Sequence, residues 1–440
     1  MKSKVCIVVF VLTLCMGKTS KAQFLMDMID TTTSLGKGMF SMYKKFDAVR
    51  LSGYMQPQFQ YIQTRGAESF AGGDFKEHVD NRFMLRRGRI KVDYERFNKE
   101  GYPVMQFAFQ FDGTERGVNI RDFFGRFFEN KLNYFSMTIG VFARPIGWEV
   151  NYSSSVRETP ERGRMSQILM KTERDLGVMF SFEPRQADHP LRNFKVDLGF
   201  FNGQGLSGSG DYDSHKDIGT RIALKPKLIA NDVQLSAGAS MWYGGIEQFT
   251  NRVYKMQATG DGHYAFKENS DSSNIGEIAP RHYFGADAQL RFLHPYGKTE
   301  FRAEYLAGTQ TATAKESETP GIIPIDIDGN YQPLYIRRFD GAYFYFLQNL
   351  GSKKHQFVLK YDWYDPNKRV KGTEIGAPNT NTTPADIRYD TFGFGYVYYF
   401  DEHLKATFYY DMVKNEDTAL PGYTEDLKDN VFTCRLQFQF

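Results

Sequence analysis

The end of the chain, residues 429–440, constrains the fold more than any other stretch. It reads DNVFTCRLQFQF, and side chains alternate between the two faces of an extended strand. One face is apolar to the last residue and carries Phe432, Cys434, Leu436, Phe438 and Phe440, while the other carries Val431, Thr433, Arg435, Gln437 and Gln439. A soluble sheet can alternate in this way, but it rarely ends on an exposed phenylalanine. The stretch therefore predicts a strand with one face against apolar surroundings and the other against water.

The start of the chain has the layout of a secretory signal peptide. Residues 1–22 begin with lysines, continue with an apolar run (5–16) and end at small residues before Gln23. Such a segment directs export and is too short to anchor the protein. In residues 23–47, apolar side chains recur at spacings of three and four, which predicts a periplasmic lead-in of one or two short helices. The remaining residues, 48–440, are predicted to form one domain.

Charge and cysteine content narrow the function classes. Removing residues 1–22 takes away four of the 55 Lys and Arg and none of the 52 Asp and Glu, so the exported chain is close to neutral. A near-neutral chain argues against a nucleic-acid partner. Of the 3 cysteines only Cys434 remains after export, so an intramolecular disulfide is excluded.

The hydropathy pattern excludes one class of membrane protein and favours another. After the signal segment no apolar run reaches about 18 residues, which excludes helical membrane spans. The chain nevertheless has 16% aromatic residues with a mean hydropathy of −0.49. An exported chain that is rich in aromatic residues and polar overall fits a closed β-barrel, the other architecture that pairs all its backbone groups in lipid.

Alternation with a period of two continues through the predicted domain. Charged residues on the polar faces, such as Arg302 and Glu304, would be costly in a dry core but are accepted by a water-filled bore. The chain is therefore predicted to be all-β, a transmembrane antiparallel β-barrel of about 16 strands. The predicted strands are 48–63, 82–96, 102–112, 118–128, 132–142, 174–183, 193–203, 217–226, 232–243, 281–293, 298–309, 338–349, 354–364, 387–400, 403–413 and 430–440.

The connections between these strands alternate between long and short. Residues 64–81, 143–173, 244–280, 310–337 and 365–386 are long, and each is followed by a short connection after the next strand. Only the connection at residues 113–117 is short at a position where the alternation predicts a long one. Long extracellular loops and short periplasmic turns arise when every strand crosses a membrane and both ends of the barrel lie on the same side. A soluble sandwich has no reason to sort its loops in this way.

Seven stretches in order resemble the phosphate-selective porins O and P of bacterial outer membranes. They are RFMLRRGRIKVD (82–93), FSMTIGVFARPIG (135–147), ERDLGVMFSF (173–182), VDLGFFNGQG (196–205), FRAEYLAGT (301–309), VLKYDWYDPN (358–367) and the terminal strand. The resemblance covers about residues 48–440. It implies an outer-membrane porin, surrounded by outer-membrane lipid, that passes small hydrophilic solutes passively and leans toward anions such as phosphate. It also implies a homotrimer and no cofactor.

Three alternating cations on the second predicted strand are candidates for the anion pathway. Arg87, Arg89 and Lys91 share one face, and like-signed side chains in a narrow water channel concentrate anions. The alternative is that they pair with Asp93, Glu95 or acids on neighbouring strands and only order the wall. Arg86 falls on the opposite face, which predicts a position facing lipid near a membrane interface.

The long segment 143–173 supplies the other candidates. In the resembled family the third long loop folds inward and narrows the pore, and this segment is the third outer loop here. By that resemblance Arg157, Arg162 and Arg164 are constriction candidates, and Arg144 belongs to the same anion pathway. The alternative is a solvated charged loop. The family relies on a dense ladder of cations, whereas Glu158 and Glu161 interrupt the series here, which puts phosphate selectivity in doubt.

Three other functions are compatible with parts of the pattern. The chain has no GxSxG, no HExxH and no cysteine cluster with metal spacing, so it is not predicted to be an enzyme or to bind a metal. A barrel hydrolase could still assemble residues such as Ser236 and His282 from different strands. A receptor or adhesin with a blocked bore is the second rival. An active transporter is disfavoured because the chain has no room for a plug and a 22-stranded wall.

Overall fold

The computed structural model describes residues 49–206, 210–260 and 262–440. The predicted signal peptide (1–22), the lead-in (23–47) and residue 48 lie outside the described residues. Among the described residues, no helix is both long and apolar enough to cross a bilayer.

Strands make up almost all of the regular structure. The described residues contain one short α-helix, α1 (Arg164–Leu169), and 18 strands that share one sheet. The strands are β1 (Val49–Ile62), β2 (Asn81–Phe97), β3 (Pro103–Thr114), β4 (Gly117–Phe128), β5 (Phe135–Ala143), β6 (Arg174–Phe182), β7 (Phe194–Phe201), β8 (Asp217–Ala230), β9 (Val233–Glu247), β10 (Arg252–Ala258), β11 (Tyr264–Ser270), β12 (Ile278–His294), β13 (Gly297–Ala312), β14 (Leu334–Asn349), β15 (His355–Asp365), β16 (Tyr389–Tyr399), β17 (Leu404–Asn415) and β18 (Val431–Gln439).

The sheet closes into the predicted 16-stranded antiparallel barrel. Neighbouring wall strands pair in chain order, and β1 closes the ring on β18, with Phe59 opposite Cys434. The wall passes directly from β9 to β12, because β10 and β11 form a separate hairpin within the connection between them. All 16 predicted strands are confirmed. The hairpin was missed because RVYKMQA and YAFKENS carry polar side chains on both faces.

The alternating faces are oriented as the sequence predicts. On β13, Phe301 is 46% exposed on the outer surface, whereas the neighbouring Arg302 is 2% exposed and points into the barrel. On β18, Phe438 is exposed and Gln437 is buried. Apolar side chains can face hydrocarbon at no cost, while charged ones need the partners and water of the bore.

One end of the barrel carries the long connections. These outer loops are residues 63–80, 115–116, 144–173, 202–216, 248–277, 313–333, 366–388 and 416–430. The other end carries the short turns 98–102, 129–134, 183–193, 231–232, 295–296, 350–354 and 400–403. The long and short rhythm is confirmed. The exception expected at 113–117 is the two-residue turn between β3 and β4.

Candidate functional site

The third outer loop, residues 144–173, lies inside the barrel and is called loop 3 below. Arg302 on β13 contacts Glu158, Asp362 on β15 accepts a hydrogen bond from the backbone N–H of Arg164, and Arg435 on β18 contacts Glu161. These strands belong to different parts of the wall, so the loop must reach across the bore to touch all of them. Its charged side chains are buried apart from Lys171, which excludes the alternative of a solvated outer loop.

Glu161 is the centre of an ion-pair cluster that joins loop 3 to the wall. Its carboxylate lies 2.6 Å from Arg87 Nη2, 2.9 Å from Arg86 Nε and 3.0 Å from Arg435 Nη2. Burial by itself would raise the pKa of Glu161, but the three guanidinium groups hold that pKa well below its usual value. One carboxylate therefore fastens the loop to β2 and β18, and the cluster keeps more positive than negative charge.

A second ion-pair cluster fixes the loop to another part of the wall, at β13. Arg302 donates to both oxygens of Glu158 at 2.8 and 2.9 Å and to Glu300 at 2.7 Å. Its guanidinium also lies 5.0 Å from the ring centre of Trp148 and 4.8 Å from that of Tyr152. A bidentate pair of this kind holds both position and orientation.

Two further carboxylates tie the beginning of loop 3 to its middle. Glu304 on β13 accepts hydrogen bonds from the backbone N–H groups of Trp148 and Glu149 at 3.1 and 3.0 Å. Glu149 in turn accepts from the backbone of Gly163 at 3.1 Å and from Ser166 Oγ at 2.6 Å. The loop is thus folded on itself as well as attached to the wall.

Gly147 permits this close approach. Its φ of +63° is a left-handed conformation, and a Cβ at this position would collide with the Glu304 carboxylate. We expect Gly147→Ala to displace the start of loop 3 and to change the single-channel conductance in planar bilayers. Gly101→Ala is a control for the strain of placing alanine at a positive φ, because Gly101 also has a positive φ but has open space around it. Equal conductance of the two variants would contradict a role for the Gly147 contact.

The predicted cations of β2 are paired rather than free. Arg87 binds Glu161 in loop 3, Arg89 binds Asp112 on β3 at 2.8 Å, and Lys91 binds Asp93 at 2.9 Å. Arg89 also donates to Ser154 of loop 3 at 2.9 Å. Arg89 and Lys91 therefore pair with acids on their own or a neighbouring strand, which was the alternative considered from the sequence. The partner of Arg87 comes from loop 3, whose position the sequence pattern could not predict.

The prediction that Arg86 faces lipid is wrong. Its guanidinium lies beside Glu161, on the same side of β2 as that of Arg87. Pairing of β2 with β3 begins at Gly88, so Arg86 lies beyond the part of this ladder that fixes the alternation. The attraction of a buried carboxylate determines the direction of the side chain instead.

Two of the predicted loop cations also have acidic neighbours. Arg162 pairs with Glu173 and donates to the carbonyl of Glu149 at 3.0 Å. Arg144 lies 3.8 Å from Asp175 and donates to the carbonyl of Gly203 at 3.2 Å. Both side chains stabilise the conformation of the loop, and the charge of each is balanced by a neighbouring carboxylate.

Three cations of this region have no carboxylate within ion-pair distance among the described residues. Arg157 is 4% exposed and its Nε has no hydrogen-bond partner. Burial, together with Arg162 and Arg87, lowers the pKa of Arg157 to about 9, so it remains charged at neutral pH. Arg164 lies between the rings of Phe70 and Tyr389, 4.3 and 3.7 Å from their centres.

The third cation, Lys405 on β17, was missed in the sequence. It donates to the backbone carbonyls of Ser155 and Arg157 at 3.0 and 2.9 Å. Its alternation with Phe408 across the strand places it on the inward face, and that signal could have identified it. Carbonyl groups solvate the ammonium without cancelling its charge.

Loop 3 separates two cavities of the barrel. The outer cavity has a volume of about 900 Å³ and is lined by Phe70, Arg164 and Tyr389 among others. The inner cavity, of about 380 Å³, is lined by Arg89, Lys91 and residues of loop 3 such as Ser155. Residues of loop 3 line both cavities, so the loop lies between them along the bore. The described part of the chain contains no cluster of His, Cys, Asp and Glu that could hold a metal ion.

The sequence matches the family model described as phosphate-selective porin O and P over residues 37–440. The chain belongs to this porin family. No curated protein sequence matches it. Among solved structures, the porin is similar to OprB of Pseudomonas putida, with 10% identity, a TM-score of 0.55 and coverage of 93% of this chain and 98% of that one. It is also similar to the outer membrane channel DcaP of Acinetobacter baumannii, with 14% identity, a TM-score of 0.52 and coverage of 89% and 97%.

At these identities the solved structures establish the fold alone. The family and the closed barrel together make the porin an outer-membrane channel. The pair of residues considered for a hydrolase is not assembled, because the two side chains lie on opposite faces of the wall. Ser236 points inward and donates to Gln289, whereas His282 stacks on the exposed Tyr243 on the outside.

Proposed function

We propose that this porin passes small hydrophilic solutes passively down their gradients, with a lean toward anions such as phosphate, and that loop 3 is its constriction. The observation that carries the proposal is the set of cations without ion-pair partners where loop 3 lies inside the bore. Arg157 and Lys405 are both buried there, and neither has a carboxylate within ion-pair distance among the described residues. A fixed positive charge in a narrow aqueous route lowers the entry barrier for anions.

The Glu161 cluster adds to the same field. Three guanidinium groups share its one carboxylate, so their charges are only partly cancelled. Elsewhere the loop is closer to balance, because Glu158 and Glu300 both face Arg302. The groups around loop 3 therefore carry a small net positive charge, which supports a modest preference for anions. They do not form a dense ladder of cations. Phosphate is therefore one of several small anions that this constriction would admit.

The assembly and surroundings follow from family membership. We expect a homotrimer embedded in outer-membrane lipid, exported by the segment 1–22. No catalytic step and no cofactor is part of the proposed function.

Reversal potentials in planar bilayers test the anion preference. We expect Arg157→Gln and Arg164→Gln each to shift the reversal potential toward cations, because each removes an uncompensated charge. Arg162→Gln should chiefly disturb the loop, since it leaves Glu173 without one of its partners. Arg116→Gln, on the exposed turn between β3 and β4, is the control. Unchanged selectivity in Arg157→Gln and Arg164→Gln would refute their role in the constriction.

One observation favours a second candidate, a receptor with a blocked bore. The charged side chains of loop 3 are largely buried, and the loop lies between the outer and inner cavities. Correctly folded protein that gives no conductance steps in a bilayer would support the receptor and exclude the channel function proposed above.

A further inference from the structure

A groove on the outside of the barrel lies at its outer end, away from the bore. It has a volume of about 590 Å³. Part of its lining comes from outward-facing side chains near the outer ends of three wall strands, such as Pro280 on β12, Thr309 on β13 and Arg338 on β14. The remainder comes from the connection between β9 and β12, including Lys255 and Met256 on β10. The hairpin is held beside the wall because β10 pairs with the first residues of β14.

The groove is strongly basic. Its charged lining residues are Lys255, Arg338, Arg369 and one acid, Glu277. None of the three cations has a carboxylate within ion-pair distance among the described residues, although Arg369 donates to Tyr264 Oη at 2.8 Å. Lys267 on β11 lies directly opposite Lys255 in the hairpin. Like charges directly opposite each other destabilise a strand pair, and a nearby anion would offset that repulsion.

The height of the groove relative to the membrane follows from the aromatic residues below it. Asp340, two residues further along the same face of β14 than Arg338, accepts hydrogen bonds from Tyr305 Oη at 3.1 Å and Trp363 Nε1 at 3.2 Å. Tyrosine and tryptophan with their polar ends satisfied in this way mark a membrane interface. Phe344 continues the face and is exposed. Arg338 therefore lies about 7 Å further along the strand toward the outer end, at the level of lipid headgroups.

We propose that this groove binds the headgroup of a phosphate-bearing lipid of the outer leaflet. The phosphates lie against Lys255, Arg338 and Arg369, and the acyl chains lie along the exposed apolar wall below, which includes Phe284 and Phe344. Basic pockets at the headgroup level are a recurring means of holding anionic lipids. Two kinds of surface meet at this place, a row of cations without ion-pair partners and a wall that faces hydrocarbon. A lipid with a phosphate headgroup and acyl chains matches both. This site is separate from the solute route and adds to the proposed function.

Native mass spectrometry of the folded protein tests the proposal. The probe is an acylated glucosamine disaccharide that carries two phosphates. We expect it to bind the wild type and to bind Lys255→Gln/Arg338→Gln roughly 25-fold more weakly, at about fivefold for each basic residue removed near a lipid phosphate. Arg116→Gln/Lys428→Gln removes the same charges from exposed sites outside the groove and should bind like the wild type.

Two further probes on the wild type keep the test decisive even if a variant folds poorly. The same lipid without its phosphates should bind much more weakly, and inorganic phosphate at equal concentration should not displace the intact lipid. Equal binding of the dephosphorylated lipid would show an apolar surface only. Displacement by inorganic phosphate would show a small-anion site. Either result, or undiminished binding to the groove variant, overturns the proposal.

Discussion

Replacing Glu161 with glutamine is expected to give a channel with several times the wild-type conductance and a stronger preference for anions. The carboxylate is the shared partner of Arg86, Arg87 and Arg435, so its loss leaves three guanidinium groups without their counter-charge. Removing one partner of a buried ion pair costs about 3–5 kcal/mol. The variant therefore weakens the attachment of loop 3 to the wall, because the wall strands keep their backbone hydrogen bonds. Single-channel recording would measure both the conductance and the reversal potential.

The control for this variant is Glu100→Gln. Glu100 lies in the short turn 98–102 at the other end of the barrel, its side chain is exposed, and it lines neither cavity. A solvated charge of this kind contributes little, so conductance and selectivity should remain those of the wild type. If Glu161→Gln also behaved like the wild type, the cluster would not be what holds loop 3 in the bore.

Arg337→Met is expected to destabilise the outer loops by about 3–5 kcal/mol, because it leaves Asp386 buried without its partner. The Arg337 Nε and the Asp386 carboxylate are 2.9 Å apart, and both side chains are fully buried. Arg337 also donates to the carbonyl of Thr313 at 2.9 Å and lies 5.4 Å from the ring centre of Phe266. One side chain thus joins the hairpin, the sixth outer loop and the seventh. Thermal unfolding and limited proteolysis of the loops would measure the loss.

A matched double variant separates the lost pair from a general packing defect. Arg337→Met/Asp386→Asn removes both charges, so the penalty for an unpaired buried carboxylate disappears. We expect it to recover most of the loss in melting temperature. Lys428→Gln, at an exposed position in the last outer loop, should melt like the wild type. A double variant no more stable than Arg337→Met would show that the guanidinium acts through packing.

The wall of the barrel could be predicted from the sequence because its determinants are local. Apolar and polar residues alternate along each wall strand and so identify its two faces, as they do from Val431 to Phe440 in the terminal strand. Loop length then separates the two ends of the barrel. The hairpin β10–β11 shows the limit of this reasoning, because a strand without an apolar face carries no periodic signal.

The charged groups of the bore could be found in the sequence but not paired. The loop arginines were recognised as candidates, yet among the described residues only Arg157 and Arg164 of them have no carboxylate within ion-pair distance. Glu161 is 74 residues from Arg87 and 274 from Arg435, so no spacing rule connects them. The prediction for Arg86 failed for the same reason, since its direction depends on a carboxylate supplied by a distant loop.

By itself, the sequence determined which surface of each strand meets hydrocarbon and which meets water, because that choice repeats every second residue and costs too much to reverse. Only the tertiary structure decided how loop 3 lies in the bore and which of its cations keep an uncancelled charge. Ion pairing is a short-range interaction between groups far apart in the chain, and the closed ring of strands brings those groups together.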